Sequence, residues 1–153
     1  MRILSGIYNM KFLVSKVEDW SLVAKHVVSL LTPSTMILLS GPLGAGKTIF
    51  VQALAKELGS KKIPKSPSFA LVRTYKLQNT KQIDRLVHVD AYRLESEREA
   101  LALGLDELVE PGSVLAVEWP EKLGNWLQPL RNPRIEMHIT VDPRHETRHV
   151  RIR

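Results

Sequence analysis

Residues 41–48 read Gly-Pro-Leu-Gly-Ala-Gly-Lys-Thr, and no other stretch constrains this chain as tightly. They fill every position of the pattern G-x-x-x-x-G-K-[ST]. The spacing has a physical basis. A glycine-rich turn after a strand points successive backbone N–H groups into one hollow, which becomes a nest for anionic oxygens. Gly44 and Gly46 permit backbone angles and close approach that a side chain would block. A helix beginning at the end of the turn adds its N-terminal N–H groups. Lys47 is then placed to reach the β- and γ-phosphates of a nucleotide, and the Thr48 hydroxyl to ligate Mg²⁺. The expected phosphate-binding set is Gly41, Leu43, Gly44, Ala45, Gly46, Lys47 and Thr48.

The pattern carries weight only between a strand and a helix, and the flanking residues supply both. Residues 35–40, TMILLS, form a short apolar run of the kind that is buried on both faces of a sheet. After the loop, Phe50, Val51, Leu54 and Leu58 recur at helical spacing, and Gly59 supplies a stop. Upstream, residues 10–14 read as a strand. Ser15-Lys16-Val17-Glu18 has the form of a capping box. Trp20, Val23, Ala24, Val27, Leu30 and Leu31 then share one helical face, which Thr32-Pro33 ends. Downstream, residues 69–77 and 83–90 read as strands, 95–103 as a helix and 113–117 as a buried strand. Residues 120–130 read as short helical pieces. Two last strands, 134–141 and 146–153, flank Asp142-Pro143-Arg144-His145 as a hairpin. Alternating strands and helices closed by a hairpin predict an α/β fold of three layers. Its central sheet is mixed and mostly parallel, as in P-loop nucleoside triphosphatases.

Composition narrows the partners. The 153 residues suit one domain, expected over 10–153, with residues 1–9 as a flexible extension before the second methionine. There is no cysteine, which removes disulfides, thiolate nucleophiles and cysteine zinc sites. No segment approaches the roughly 18 to 20 apolar residues that span a bilayer, and the first ten residues lack the form of a signal peptide. A cytoplasmic location is expected. The net charge of +6 points to an anionic partner or to a solvated basic surface, and charge alone does not choose between them.

Phosphoryl chemistry needs carboxylates around the metal and the attacking water. Two stand at the ends of apolar strands: Asp90 after Leu86-Val87-His88-Val89, and Glu118 after Val114-Leu115-Ala116-Val117. Ligands of open α/β sheets gather at the carboxyl ends of strands, so both are candidates, although either alone also suits a cap or a surface salt bridge. His88 shares Asp90's strand face. It either orients Asp90 or is a satisfied core histidine, and the second reading is favoured. Trp119 either shields the site from water or fills the core. Ser66-Pro67-Ser68-Phe69 occupies the place of a loop sensing the γ-phosphate, or is an ordinary turn.

The guanine-reading Asn-Lys-x-Asp motif is absent, as is an Asp-x-x-Gly switch, so adenine is the default base. A small-molecule kinase remains the rival, with Arg93 and Arg98 as lid arginines. A nucleotide-dependent binding module without hydrolysis is the third class.

Four motifs taken together go further. The loop at residues 41–48, Ser66-Pro67-Ser68-Phe69, His88-Val89-Asp90-Ala91-Tyr92-Arg93-Leu94 and Val117-Glu118-Trp119-Pro120-Glu121 resemble, in order and spacing, the bacterial TsaE (YjeE) family. The resemblance covers the chain from about Met10 onward. It implies an ATPase acting with the TsaB–TsaD complex in making threonylcarbamoyladenosine at position 37 of tRNAs that read ANN codons. In that family TsaD performs the transfer to tRNA, and hydrolysis by TsaE is thought to reset the complex. The resemblance makes Lys47 and the loop glycines phosphate ligands, and Thr48 and Glu118 the Mg²⁺ positions. Asp90 becomes an acidic group needed for hydrolysis, and Trp119 a tryptophan important for activity. Residues 66–69 become a switch-like loop, and residues 15–19 the approach to adenine. Ser68 stands where the family usually has Thr; serine keeps the hydroxyl and loses a methyl.

Overall fold

The computed structural model describes residues 9–65, 71–78, 82–104 and 107–153. The expected first strand is Met10–Val14 (β1). A 3-10 turn, Val17–Asp19, follows it. The turn is closed by Asp19, whose Oδ2 accepts from the backbone N–H groups of Ser15 and Lys16 at 2.9 and 3.1 Å. The Ser15–Glu18 capping box expected from the sequence is therefore not the closure used. The 3-10 turn moves the helix start to Trp20, and Asp19 makes the backward contacts. Helix Trp20–Leu30 (α1) buries Trp20, Val23, Ala24 and Val27, and ends where Leu31 turns extended ahead of Thr32-Pro33.

Strand Met36–Ser40 (β2) leads through the glycine-rich loop into helix Lys47–Glu57 (α2). Gly59 closes α2 with φ +76°, its N–H donating to the Lys56 carbonyl. Strands Val72–Lys76 (β3) and Arg85–Asp90 (β4) form an antiparallel pair, each shorter than the stretch read from the sequence. Helix Glu97–Ala102 (α3) follows, and then strand Ser113–Glu118 (β5), buried at every residue. A 3-10 segment, Pro120–Leu127, is kinked at Gly124. Strands Arg134–Asp142 (β6) and Thr147–Ile152 (β7) form the terminal hairpin.

All seven strands join one sheet in the order β1-β7-β6-β2-β5-β4-β3. The four central neighbours β6, β2, β5 and β4 pair in parallel. The remaining pairs are antiparallel, so β1 runs with the central four, and only β7 and β3 oppose them. The expected mixed, mostly parallel sheet with a closing hairpin is what forms. The burial patterns explain the order. Strands β2 and β5 are apolar on both faces and take the centre, where helices cover them on two sides. Strand β6 alternates exposed and buried residues and lies toward the edge.

Helices α1 and α2 cover one face. Their Val27, Phe50, Val51 and Leu54 join a core that runs from Val150 and Ile139 through Ile37 and Leu39 to Leu86. On the opposite face, Met36, Leu38, Val87, Val89, Leu115 and Val117 pack against Ala100, Leu123, Trp126 and Leu127. This third layer lies over β3, β4, β5 and β2, and meets β6 at Arg134, whose guanidinium donates to the carbonyls of Leu127 and Leu130.

Phe50 is fully buried, its ring centroid 6.0 Å from that of Trp20. Truncating a buried phenylalanine removes its transfer energy and leaves a cavity. Phe50→Ala is expected to cost about 3–5 kcal/mol in urea unfolding. A loss below about 1 kcal/mol would show that the helix layer does not depend on this contact.

Candidate functional site

The parallel strands bring the candidate residues together. Leu39 of β2 pairs with Glu118 of β5, and Glu118 pairs with Asp90 of β4. The glycine-rich loop leaves β2 at the same end of the sheet. A cleft of about 410 Å³ opens there, lined by Leu43, Gly44, Ala45, Gly46, Lys47, Thr48, Ile49, Leu71, Asp90, Tyr92, Arg93, Glu118 and Trp119.

The loop is shaped by two close approaches. Gly46 has φ +100°, and a Cβ there would lie 2.7 Å from Cζ2 of Trp20. A Cβ on Gly41 would lie 2.6 Å from the carbonyl oxygen of Ile139 on β6. No side chain fits either place without shifting its neighbour. Gly46 also sits at the cap of α2, and its carbonyl accepts from Phe50 N–H at 2.9 Å. The N–H groups of Lys47, Thr48 and Ile49 belong to the first turn of α2, which lacks intrahelical acceptors and faces the cleft.

Lys47 folds back over the loop. Its Nζ donates to the carbonyls of Gly41 and Pro42 at 2.7 and 2.9 Å, and stands 3.8 Å from the ring centroid of Trp119. Burial lowers its pKa below the ordinary lysine value, opposed by the carboxylates of Glu118, Glu121 and Asp90. Trp119 reaches this position from a left-handed backbone, φ 60° and ψ 52°, which is strained for a bulky side chain. Its ring also packs on Tyr92 at 5.0 Å. Trp119 answers to both readings in part: it packs against the core beneath α3 and the 3-10 segment, and its ring contacts Lys47 at the cleft.

Glu118 is 3% exposed. Its Oε1 accepts from the Thr48 hydroxyl at 2.8 Å and lies 2.8 Å from Nε2 of His88. His88 is fully buried, and its Nδ1 has no partner among the described residues. His88 therefore meets Glu118 across the β4–β5 pair, rather than orienting Asp90, and as a core histidine it is satisfied at one nitrogen only. The neutral Nε2–H tautomer suits this arrangement. It gives a donor to the carboxylate, and leaves only a lone pair unmet in the apolar surroundings. Asp90 Oδ1 accepts from Tyr92 N–H at 3.1 Å.

Ser66 and Ser68 of the candidate switch loop lie outside the described residues, and Leu71, just beyond them, lines the cleft. Of the two lid arginines, Arg93 lines the cleft and Arg98 does not. A second hollow, of about 460 Å³, is lined in part by Ser15, Lys16, Val17, Trp20 and Ile49, and so adjoins the cleft through Ile49. Sequence reading missed Tyr92 and Ile49. Nothing local singles out Tyr92. Ile49 carried a signal: it is apolar and falls off the buried Phe50, Val51 and Leu54 face of α2. Among the described residues, no three His, Asp or Glu side chains converge as a metal cluster. No helix there is long and apolar enough to cross a membrane.

The Lys47 shift has a definite sign. Its folded pKa lies below the unfolded 10.5. Between those values the unfolded chain binds more protons than the folded one, so Lys47 makes stability rise with pH. Urea unfolding at about pH 8 and about pH 10.5 is expected to show the wild type gaining on Lys47→Met as the pH increases. A constant difference between the two proteins would refute the buried, proton-disfavouring setting of Lys47.

Comparison with known proteins accords with this geometry. The family model described as "Threonylcarbamoyl adenosine biosynthesis protein TsaE" matches residues 14–150. A tRNA threonylcarbamoyladenosine biosynthesis protein TsaE of Rickettsia felis is 36% identical over 125 residues, covering 81% of this chain and 68% of that one. The same-named protein of Bacillus subtilis is 37% identical, covering 67% of this chain and 61% of its own. That of Aquifex aeolicus is 40% identical, covering 69% and 72%. The crystal structure of Bacillus subtilis YdiB superposes with a TM-score of 0.71 at 27% identity, over 97% of this chain and 87% of that one. With the family match spanning nearly the whole sheet and every element of the cleft, the chain belongs to the TsaE family of tRNA threonylcarbamoyladenosine biosynthesis.

Proposed function

We propose that this protein is an ATPase of tRNA threonylcarbamoyladenosine formation that works with a TsaB–TsaD complex on tRNAs reading ANN codons. The observation carrying the nucleotide reading is the loop at residues 41–48. It joins a buried strand to a helix N-terminus, with Lys47 and Thr48 at the mouth of a cleft that also holds Glu118 and Asp90. The family membership carries the pathway. A single domain over residues 10–153, with residues 1–9 as an extension, and a cytoplasmic location go with this reading.

In the proposed complex the N–H groups of the loop and of the first turn of α2 hold the phosphates. Lys47 exchanges the carbonyls of Gly41 and Pro42 for the β- and γ-phosphates, whose charge offsets the burial of its ammonium. The oxygens of Thr48 and Glu118 suit Mg²⁺, a hard cation that takes one or two protein ligands and completes its shell with phosphate and water. When bound, the ion neutralises phosphate charge. Asp90, one strand over, orients the attacking water. Trp119 excludes bulk solvent above Lys47. Ser66 and Ser68 sense the γ-phosphate from their loop. The adenine lies in the hollow beside residues 15–20, reached past Ile49. Hydrolysis by the protein alone is slow until a partner orders the site and supplies or positions an arginine finger. Such a group is worth about 10³ to 10⁵ in rate, and partner docking completes the site.

The first test is phosphate release from MgATP and MgGTP, with and without TsaB–TsaD. ATP is expected to be preferred, Lys47→Ala to abolish turnover, Asp90→Asn to remove the partner-stimulated rate, and the partners to stimulate the wild type. Turnover indifferent to the partners would overturn the pathway role while leaving the nucleotide site standing, and a search for kinase acceptors would follow.

His88 enters as a positioning residue, since it holds the oxygen of Glu118 that Thr48 also touches. Removing a partner of a metal-holding carboxylate typically costs about 10–100-fold in metal affinity. His88→Ala is expected to raise by about tenfold the Mn²⁺ concentration that half-saturates the ADP complex, read by electron paramagnetic resonance. His88→Gln, which can offer an N–H at the same place, is expected to recover most of it. Equal metal affinity in all three proteins would reduce His88 to core packing.

A further inference from the structure

The two faces of the sheet are covered unequally. Helices α1 and α2 serve a core that includes Val14 of β1, Val150 and Ile152 of β7, and Ile135, Met137 and Ile139 of β6. On the other face, the layer of α3 and the 3-10 segment packs on strands β2, β5 and β4. Beyond Arg134, which donates to the Leu127 and Leu130 carbonyls, the outer face of β6, β7 and β1 is left open. Residues paired across strands point to the same side of a sheet. The registers therefore build cross-strand rows on this open face: Lys11 with Arg151 and His138, Leu13 with His149 and Thr140, and Arg153 with Glu136.

All of these side chains are exposed. Two hollows of about 450 Å³ each share Arg151 and His138. Glu136 is the one carboxylate lining either of them. Among the described residues, Lys11, Arg151 and Arg153 make no ion pair with any carboxylate. A sheet face waiting for a protein layer would present apolar rows, as the opposite face of the same strands does. Of the exposed large apolar residues, only Leu13 falls in these rows. His149 and Arg151 of β7 and Arg153 just beyond it point to this face about 7 Å apart, and Lys11 and His138 flank Arg151 on the neighbouring strands at about 4.8 Å. Lys11, Arg151 and Arg153, with His138 and His149 beside them, stand open to solvent on this face, and their chemistry complements a chain of phosphates.

We propose that the open face of β6, β7 and β1 binds the phosphate backbone of RNA, and that its physiological occupant is tRNA. The choice of RNA over another polyanion rests on membership in a tRNA-modifying family. The face also adjoins the nucleotide cleft. Ile139 of β6 approaches Gly41 through its carbonyl, and Ser40, which immediately precedes the loop, pairs with His138. The contacts are to backbone, so they set affinity and orientation without reading base sequence.

The test is fluorescence anisotropy of a labelled unmodified tRNA with the full chain over a range of salt. The wild type is expected to bind with a steep salt dependence. Lys11→Ala/Arg151→Ala is expected to weaken binding about tenfold or more, and to lower the slope of log K against log salt by about 1.4 to 1.8. Lys56→Ala/Lys62→Ala removes the same charge from the helix side and is expected to bind as the wild type does. Equal weakening by both double variants would mean diffuse charge alone and would overturn the proposal, as would absence of tRNA binding at low salt. Unchanged tRNA affinity in Lys11→Ala/Arg151→Ala, with weakened docking to TsaB–TsaD, would assign the face to a protein and overturn it too. Phosphate release from MgATP by Lys11→Ala/Arg151→Ala is expected to match the wild type. An inactive wild type would sink the ATPase reading and leave the RNA result legible.

Discussion

The cleft turns on one buried oxygen. Oε1 of Glu118 meets the Thr48 hydroxyl and the His88 ring at 2.8 Å each. These three residues stand on α2, β5 and β4, so one carboxylate ties the helix after the glycine-rich loop to two adjacent parallel strands. A carboxylate withdrawn from water is costly unless donors surround it. That requirement fixes how far α2 sits from the ends of β4 and β5, and hence how wide the cleft opens. The parallel pairing makes the meeting possible, since it places the ends of β2, β5 and β4 on one edge of the sheet.

The same economy governs Lys47 and Trp119. A buried ammonium needs acceptors, and here the loop's own carbonyls supply them beneath an indole face. The left-handed turn at Trp119 is the local cost of aiming that ring. A strained residue of about 1–3 kcal/mol survives only where its surroundings over-determine it. Lys47 below, Tyr92 beside and the hydrogen bond from Trp119 N–H to the Leu39 carbonyl provide that restraint. The loop thus keeps its shape with its cation tucked inward on its own carbonyls.

The sheet's unequal covering divides labour across the fold. Where both faces are covered, strands are apolar throughout and their ends carry chemistry. Where one face is open, strands alternate, and their outer rows carry charge. Both regions meet at β2 and β6, which flank the start of the glycine-rich loop. Gly41 can lie against β6 only because it has no side chain.

The loop at residues 41–48, its flanking strand and helix, and the strand-end carboxylates were legible in the chain, because each follows from local chemistry: periodicity, apolar runs and the glycine pattern. The C-terminal hairpin was legible for the same reason. The helix start was misplaced because the Ser-x-x-Glu pattern favours Glu18 locally, whereas the 3-10 turn brings Asp19 to the backbone N–H groups of Ser15 and Lys16. His88 was favoured as a satisfied core histidine, and its contact with Glu118 was not foreseen, because period-two alternation shows which residues share a face but not which side chain they meet across strands. The order of the seven strands, the shared oxygen of Glu118, the packing of Trp20 against Gly46 and the open basic face all depend on pairing between segments far apart in the chain. The sequence by itself determined that a glycine-rich turn would form between a buried strand and a helix, since that is a property of neighbouring residues. The tertiary structure decided which acids, rings and cations face it, since those contacts exist only once distant strands have settled their register.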